Sequence, residues 1–403
     1  MMPIVPPSTA TYTGTDAFDN STISRPHETR TEIMNKPLTR RIFVQQLGAA
    51  GAALAVVPSV VVAAGTAEPA GKMTLAVVGC AHSHAPGYIH MLKAHKDVQI
   101  KYVWDTDAQR AKKWADELGG TAVPDPAAVW ADLQVKGAVI CSQTNLHQRL
   151  VLAGAKAGKH LFVEKPLGVS AVECRQMAEA IQQAGVLFTT GYGMRTAPEH
   201  LFLKQQITEG TLGKITRIRG STCHNGSLGH WFDGEIRWMA DPKIAGCGGF
   251  GDLGTHSLDL LMWLIGDIES VTADIKVVTG RYGPCDESGE ALIRFKSSVT
   301  GTLAAGWVDV ANPLTLEISG TEGHAAIFEG KLYFKAGKVA GADGQKPWTK
   351  LPQALPPPLE MFIAALAGKP NLGLVTPHEA AARVSVMEAM YRSSASHRWE
   401  SPA

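Results

Sequence analysis

The chain has 403 residues, of which 45% are hydrophobic and 19% are charged, and its formal net charge is +1. This composition is typical of globular domains and excludes a collagen-like or wholly disordered chain. The 38 basic residues are balanced by 37 acidic ones, so we expect neither nucleic acid nor an anionic membrane as a partner.

Residues 1–70 are predicted to be a disordered leader followed by a twin-arginine signal peptide. Arg40-Arg41 precedes an apolar run rich in small residues from Leu47 to Ala64, which is the order of features in such signals. The alternatives are a chance arginine pair or a membrane anchor, but Gly48 and Pro58 make this run a poor permanent anchor. The pattern predicts the Tat export machinery as a partner and a periplasmic or otherwise exported protein.

Residues 71–195 are predicted to form a dinucleotide-binding domain of the doubly wound α/β class. Short apolar runs alternate with helical patterns, which indicates a parallel sheet with crossover helices. The predicted strands are residues 72–79, 98–105, 121–123, 137–141 and 160–164.

The loop after the first strand departs from the usual GxGxxG pattern. After Gly79, Ala81 takes the place of the middle glycine and His84 that of the last. These three residues and His82 are predicted to contact the dinucleotide because they lie between a strand and a helix. Asp105 ends the next strand, where a carboxylate binds the ribose hydroxyls and repels a 2′-phosphate, so NAD is preferred to NADP.

Two further motifs resemble those of the Gfo/Idh/MocA oxidoreductase family, which includes glucose–fructose oxidoreductases and inositol dehydrogenases. The first is Thr144-Asn145-x-His147 followed by Glu164-Lys165-Pro166. The second is the block Gly248-Gly249-Phe250-Gly251-Asp252-Leu253-Gly254-Thr255-His256, and Arg195 also fits the family pattern. The resemblance runs from about Lys72 to the C-terminus.

The resemblance implies a Rossmann domain followed by a C-terminal α/β domain over residues 196–403. This domain would contain a large, mostly antiparallel open sheet that carries the substrate and joins copies into a homodimer or homotetramer. The residue pattern independently predicts strands at 215–222, 270–279, 291–296, 301–308 and 314–319. Helices are predicted at 254–264, 357–366 and 377–391.

The resemblance also implies the catalytic residues Lys165, Asp252 and His256. Lys165 would stabilise a developing alkoxide, with a pKa depressed by nearby positive charge, and His256 would accept the hydroxyl proton. Taken singly, a surface lysine and a core or capping histidine are the alternatives. The cofactor-binding residues that the family pattern adds are Thr144, Asn145, His147, Glu164, Lys165 and Arg195.

The scattered histidines have no metal-ligand spacing, so no metal is predicted. Four aromatic residues are candidates for stacking on a sugar, although each is also a candidate core residue: Tyr192, Trp231, Phe232 and Trp238.

These features predict an NAD(P)-dependent oxidoreductase acting on a secondary hydroxyl of a sugar, glycoside or cyclic polyol. Little free NAD exists outside the cytoplasm, so an exported enzyme is expected to retain its dinucleotide through each cycle. The alternative is an NAD-dependent glycosidase or lyase that works by transient oxidation and elimination, and a third possibility is a non-catalytic sugar-binding relative. His256 fits the inositol dehydrogenase branch better than the exported glucose–fructose oxidoreductases, so no sugar pair follows from the resemblance.

Overall fold

A computed structural model describes residues 71–370 and 373–403. The predicted leader and twin-arginine signal at residues 1–70 lie outside the described residues. None of the helices in the described part combines the length and the hydropathy that a bilayer crossing needs.

The first sheet has six parallel strands. These are β1 (Met73–Cys80), β2 (Val98–Trp104), β3 (Thr121–Ala122), β4 (Gly137–Cys141), β5 (His160–Val163) and β6 (Phe188–Thr190). The helices between them are α1 (Ala85–Ala94), α2 (Ala108–Leu118), α3 (Ala127–Ala131), α4 (His147–Lys156) and α5 (Ala171–Ala184). The strand order is β3-β2-β1-β4-β5-β6, so the chain reverses direction across the sheet between β1 and β4. In such sheets the crevice at this reversal is where dinucleotides bind.

Local sequence accounts for these elements. Seven of the eight residues of β1 are buried, which is typical of a parallel strand covered by helices on both faces. Asp107 caps α2 by accepting hydrogen bonds from the backbone N–H groups of Gln109 and Arg110. The capping function of the Asp105–Asp107 segment therefore belongs to Asp107.

The second sheet has eight strands and is mostly antiparallel. The chain continues through α6 (Pro198–Thr208), β7 (Ile215–Cys223), α7 (Pro242–Ala245), α8 (Gly249–Ile265), β8 (Ile268–Lys276), β9 (Ser288–Phe295), β10 (Thr300–Gly306) and β11 (Leu314–Gly320). It ends with β12 (Gly323–Phe328), β13 (Lys331–Ala336), β14 (Asp343–Pro347), α9 (Pro358–Leu366) and α10 (Pro377–Ser396). The strand order is β14-β13-β12-β11-β7-β10-β9-β8, and β7 and β10 are parallel neighbours. The predicted α/β class, with a Rossmann sheet followed by a mostly antiparallel sheet, is confirmed.

One face of the second sheet is covered and the other is exposed. The buried residues of α8, including Leu258 and Leu261, belong to the same core cluster as Ile293 and Leu303 of the sheet. The intervening strand residues are exposed: Arg217, Arg219, Leu292 and Arg294. This alternation follows from the two-residue period of a strand.

The C-terminal helices return to the first sheet. Leu359 and Phe362 of α9 lie in the core cluster that contains Leu75 of β1, and Val384 of α10 lies in the cluster that contains Val163 of β5. Residues 196–403 thus also contribute to the core of the first sheet, and the division into residues 71–195 and 196–403 stays a prediction.

Candidate active site at the carboxyl edge of the parallel sheet

The structure brings Lys165 and Asp252 into direct contact. Lys165 lies just beyond β5, and Asp252 lies in the first turns of α8. Lys165 Nζ donates to Asp252 Oδ1 at 2.8 Å, and the two side chains are 2% and 13% exposed. Nζ also lies 3.4 Å from the backbone oxygen of Asp252. An ammonium has three N–H donors. Among the contacts of the described residues two of them point at Asp252, so one N–H is left for a ligand.

His256 is placed one turn after Asp252 on the same side of α8. The helix begins at Gly249 rather than at the predicted residue 254, so both side chains belong to regular helix, and residues four apart lie on one face. The His256 ring stands edge-on to Tyr192 at a centroid distance of 6.3 Å. Lys165, Asp252 and His256 therefore form one cluster, which we call the catalytic cluster.

Charges within the cluster set its protonation. Burial opposes the ammonium form of Lys165, but the carboxylates of Asp252 and Glu164 outweigh burial and raise its pKa above the usual value. The expectation that positive charge depresses this pKa is wrong, because the neighbours are carboxylates. Burial, together with the Lys165 charge, lowers the pKa of His256 to about 3. Near neutral pH the cluster therefore holds a charged lysine and a neutral, proton-accepting histidine.

Two groups that the sequence did not indicate hold Asp252 and its helix in place. Trp307 Nε1 donates to Asp252 Oδ2 at 3.2 Å, and Trp307 is fully buried. Asp286 accepts hydrogen bonds from the backbone N–H groups of Gly248 at 3.0 Å and Phe250 at 2.9 Å. Gly248 offers no side-chain cap, so an external acceptor at the start of α8 could have been anticipated, but not its identity.

The loop after β1 has the backbone form expected of a nucleotide-binding loop. Gly79 has a φ of +89°, and a Cβ at this position would lie 2.4 Å from Ser142 Cβ, so a side chain is excluded by both conformation and space. Within the described residues, the backbone N–H of Ser83 has no protein partner at the entrance to α1. Ala81 is buried, and its carbonyl accepts a hydrogen bond from Trp238 Nε1 at 3.1 Å.

His82 and His84 connect the loop to Glu164. His84 N donates to His82 Nδ1 at 3.1 Å, so the neutral His82 ring carries its proton on Nε2. Burial lowers the pKa of His82 to about 3. Glu164 is fully buried and receives Tyr88 Oη at 2.7 Å and His84 Nδ1 at 3.0 Å. These contacts occupy both carboxylate oxygens of Glu164.

His82, His84 and Glu164 also form a group that could hold a metal ion, since one ligand atom from each lies within 4.8 Å of the others. A tetrahedral zinc ion needs ligand atoms about 3.4 Å apart. The hydrogen bonds to His84 and Tyr88 already account for the Glu164 oxygens. The predicted lack of a metal stays a prediction.

Asp105 lies at the end of β2 as predicted, but its carboxylate has protein partners. Cys80 N donates to Asp105 Oδ2 at 2.6 Å, and Arg110 Nη2 donates to Oδ1 at 2.7 Å. The sequence showed no arginine directly after Asp105, yet the first turn of α2 brings Arg110 to it. Thr144 and Asn145 form a 3₁₀ turn after β4, where Thr144 is buried and Asn145 is exposed.

Two predicted cofactor residues have structural contacts instead. His147 is fully buried, with its ring nitrogens 3.2 Å from the Leu167 carbonyl and 3.3 Å from the Ser142 carbonyl, so it joins two loops. Arg195 binds Asp259 at 2.6 Å and Glu379 at 2.8 Å. A cofactor role for either side chain would require breaking these buried contacts.

Family models match most of the described chain. A model described as "Oxidoreductase family, NAD-binding Rossmann fold" matches residues 73–192. A model described as "GFO/IDH/MocA C-terminal domain" matches residues 200–326.

Three curated relatives are dehydrogenases. Levoglucosan dehydrogenase of Pseudarthrobacter phenanthrenivorans is 28% identical over 208 residues, covering 46% of this chain and 53% of the relative. Myo-inositol 2-dehydrogenase of Thermotoga maritima is 30% identical over 230 residues, covering 54% and 64%. The scyllo-inositol 2-dehydrogenase (NAD(+)) of Bacillus subtilis is 28% identical over 269 residues, covering 64% and 75%. The first two alignments thus span less than two thirds of those proteins.

Two solved structures share the fold. Levoglucosan dehydrogenase in complex with NADH and levoglucosan gives a TM-score of 0.69 at 21% identity, covering 82% of this chain and 99% of the other. GenD2 from gentamicin A biosynthesis in complex with NAD gives 0.67 at 24% identity, covering 82% and 96%. At this identity the likeness establishes the architecture alone.

Proposed function

The chain belongs to the Gfo/Idh/MocA family of oxidoreductases, and we propose that it is an NAD-dependent dehydrogenase acting on a secondary hydroxyl of a sugar, glycoside or cyclic polyol. The observation that carries the proposal is the catalytic cluster, in which a charged Lys165 and a neutral His256 flank Asp252. Alcohol oxidation needs these two properties together, since one group must accept the proton and another must stabilise the negative oxygen.

The residues around the Gly79 loop fit a dinucleotide. Gly79 has no room for a side chain, which leaves its backbone open to a ligand. The N–H of Ser83, which has no partner among the described residues, is a free backbone donor at the start of α1. The reversal of strand order between β1 and β4 places this loop at the usual crevice. When bound, NAD⁺ supplies the hydride acceptor.

The side chains would act on the substrate as follows. The remaining N–H of Lys165 donates to the substrate hydroxyl oxygen and stabilises the negative charge that develops on it. His256 accepts the hydroxyl proton on a ring nitrogen. Asp252 keeps Lys165 charged and in place, and Trp307 keeps Asp252 in place.

Activity of the purified chain tests this proposal. NAD⁺ is added with myo-inositol, levoglucosan and simple glucosides, and reduction of the cofactor is followed by absorbance. We expect turnover of at least one of them, and we expect Lys165→Met to abolish it. Lys156→Met is the matched control, because Lys156 is exposed on α4. Equal activity in both variants would remove Lys165 from the mechanism.

We further propose that the protein prefers NAD to NADP. Asp105 favours this preference, and Arg110 weakens it. The carboxylate would repel a 2′-phosphate, whereas the adjacent guanidinium partly offsets that repulsion. Asp105→Ala is therefore expected to narrow the preference for NAD⁺ over NADP⁺ in kcat/KM. Asp107→Ala serves as the control, because Asp107 caps α2. An unchanged preference in Asp105→Ala would contradict the assignment.

Retention of the dinucleotide is a separate proposal. It is supported by the twin-arginine pattern at Arg40-Arg41, because little free NAD exists outside the cytoplasm. Protein purified without added nucleotide would be denatured and the released compounds identified by mass spectrometry. Near one NAD(H) per chain is expected, and an empty protein that binds NAD reversibly would overturn it. If protein that retains its NAD released nitrophenol from a nitrophenyl glycoside without an added oxidant, it would be a redox-neutral glycosidase or lyase.

A further inference from the structure

Trp231 is an exposed indole among otherwise buried aromatic residues. Tyr192, Phe232 and Trp238 are each at most 9% exposed, whereas Trp231 is 53% exposed. The Trp231 ring packs against His224, with ring centroids 4.7 Å apart and the planes inclined at 41°. An exposed tryptophan of this kind covers no core, so its position relative to the catalytic cluster is informative.

Backbone contacts tie this aromatic pair to the strand end that carries Trp307. His224 N donates to the Gly306 carbonyl at 3.0 Å, and Ser227 N donates to the Trp307 carbonyl at 2.9 Å. Trp307 in turn donates to Asp252. His224 is also within electrostatic reach of Asp252 and Lys165, although burial is the largest influence on its pKa, which is lowered. His224 therefore contacts Trp231 and also lies within electrostatic reach of the catalytic cluster.

The segment around Trp231 is held in one shape by close contacts. A Cβ at Gly226 would lie 2.6 Å from His224 Cε1, and a Cβ at Gly229 would lie 2.7 Å from Trp231 Nε1. Ser227 Oγ donates to Glu287, which also accepts from Val278 N at 3.0 Å. The pair is thus positioned before any ligand binds, which reduces the entropic cost of binding.

The surroundings of Trp231 favour an apolar ring over a second sugar. Three large apolar side chains are exposed next to the residues that anchor this segment: Leu228, Val278 and Val310. Leu228 follows Ser227 in the chain, and the N–H of Val278 donates to Glu287. Val310 follows Asp309, whose N–H donates to the His224 carbonyl. The nearby polar groups Asp233 and Arg281 are paired with each other. Trp231 and these apolar side chains offer a ring face and apolar edges, which is what an aryl group needs.

We propose that His224 and Trp231 form a subsite for the aromatic aglycone of a glycoside whose sugar occupies the catalytic cluster. This inference rests on the proposed dehydrogenase function and narrows its glycoside substrates to those with an aromatic aglycone. His224 contacts the region next to the glycosidic oxygen, and the exposed face of Trp231 stacks on the aryl ring.

The test compares phenyl and methyl glycosides of one sugar with NAD⁺ present. The wild-type protein is expected to prefer the phenyl glycoside in kcat/KM by at least about tenfold, the size of a good aromatic contact. Trp231→Ala is expected to remove most of that preference, and Trp231→Phe to keep most of it. Trp399→Ala is the matched control, since Trp399 is partly exposed and packs on Arg294. Equal use of both glycosides by the wild-type protein, or an unchanged preference in Trp231→Ala, overturns the subsite while leaving the dehydrogenase intact.

Calorimetric titration with the phenyl glycoside covers the case in which the wild-type protein oxidises no glycoside. Binding that weakens about tenfold in Trp231→Ala but not in Trp399→Ala supports the subsite even if the dehydrogenase proposal fails. No binding by the wild-type protein overturns it.

Discussion

Helix α8 carries two buried charge networks that differ in how completely their hydrogen-bonding groups are paired. Near its start, Lys165 binds Asp252 and, among the contacts that the structure describes, keeps one N–H donor free. Two turns further, Asp259 is fully buried and accepts Arg195 Nε at 2.8 Å, Arg195 Nη2 at 2.6 Å and Arg383 Nε at 3.0 Å. Glu379 accepts the remaining Arg195 contact.

The difference separates a structural network from a reactive one. Both networks have buried charges at hydrogen-bond distance, so burial of charge alone would mark either as a site. In the Asp259 network the carboxylate is saturated by two guanidiniums, which leaves little for a ligand to bind. In the catalytic cluster an ammonium donor and a neutral imidazole remain available. Incomplete pairing, rather than burial of charge, is what identifies the site.

Removing the centre of the saturated network should produce the largest effect on stability. Asp259→Ala leaves two buried arginines without their carboxylate, so we expect a loss of about 3–5 kcal/mol in the free energy of unfolding. Denaturant unfolding measures this. The control is Asp267→Ala, which removes an exposed pair with Lys296 and should change the free energy by less than about 1 kcal/mol. Similar values for both variants would show that the Asp259 network is not what stabilises this end of α8.

Removing the proton acceptor of the catalytic cluster should lower activity strongly and stability little, the opposite of Asp259→Ala. His256→Gln is expected to lower kcat/KM by about 10²–10³-fold, within the range for a general base, with little change in the free energy of unfolding. Steady-state kinetics and denaturant unfolding on the same preparation separate the two effects. His90→Gln, an exposed substitution on α1, is the control. A loss of stability in His256→Gln that matches the loss of activity would make His256 a structural residue.

The sequence predicted the elements better than the contacts. The motif around Glu164-Lys165-Pro166 and the block ending at His256 lie at ends of regular elements, whose positions follow from the alternation of strands and helices. The catalytic roles of Lys165, Asp252 and His256 stay predictions. The sequence could not show that Arg195 is committed to Asp259, since the partners are 64 residues apart along the chain. Trp307 and Asp286 were missed for the same reason.

The local sequence pattern also could not decide the role of a side chain that fits both a structural position and a binding site. His147 matched the family motif, yet it is buried between two carbonyls. The four aromatic candidates were indistinguishable in sequence, and only burial separates exposed Trp231 from the other three. Arg110 reaches Asp105 from the first turn of α2, a contact that the residues directly after Asp105 do not indicate.

A substitution at Trp307 tests whether the activity depends on the hydrogen bond that holds Asp252 in position. Trp307→Phe keeps the buried ring against Phe232, whose centroid lies 4.1 Å away, but removes the hydrogen bond to Asp252. We expect kcat to fall about tenfold, which corresponds to the 1.4 kcal/mol of one hydrogen bond to a charged group, while KM for NAD⁺ is unchanged. Trp348→Phe is the control because Trp348 Nε1 donates to a backbone carbonyl away from Asp252. Equal kcat values in the two variants would contradict a positioning role.

Lowering the pH should reduce the free energy of unfolding through the histidines near the catalytic cluster but not through the guanidiniums of the Asp259 network. This is the smallest of the expected effects. Guanidiniums do not titrate in proteins, whereas His82 and His256 stay neutral in the folded state with pKa values near 3 and charge near pH 6.5 when unfolded. Protons then favour the unfolded chain, so stability is full above about pH 6.5 and falls by about 1 kcal/mol per histidine for each pH unit below it. His256→Gln should therefore reduce the pH dependence of unfolding between pH 6.5 and 5.5 by about one proton. Over the same interval kcat/KM should stay flat, because His256 is still neutral, and an activity loss with an apparent pKa near 6.5 would show that the histidine is protonated in the folded enzyme.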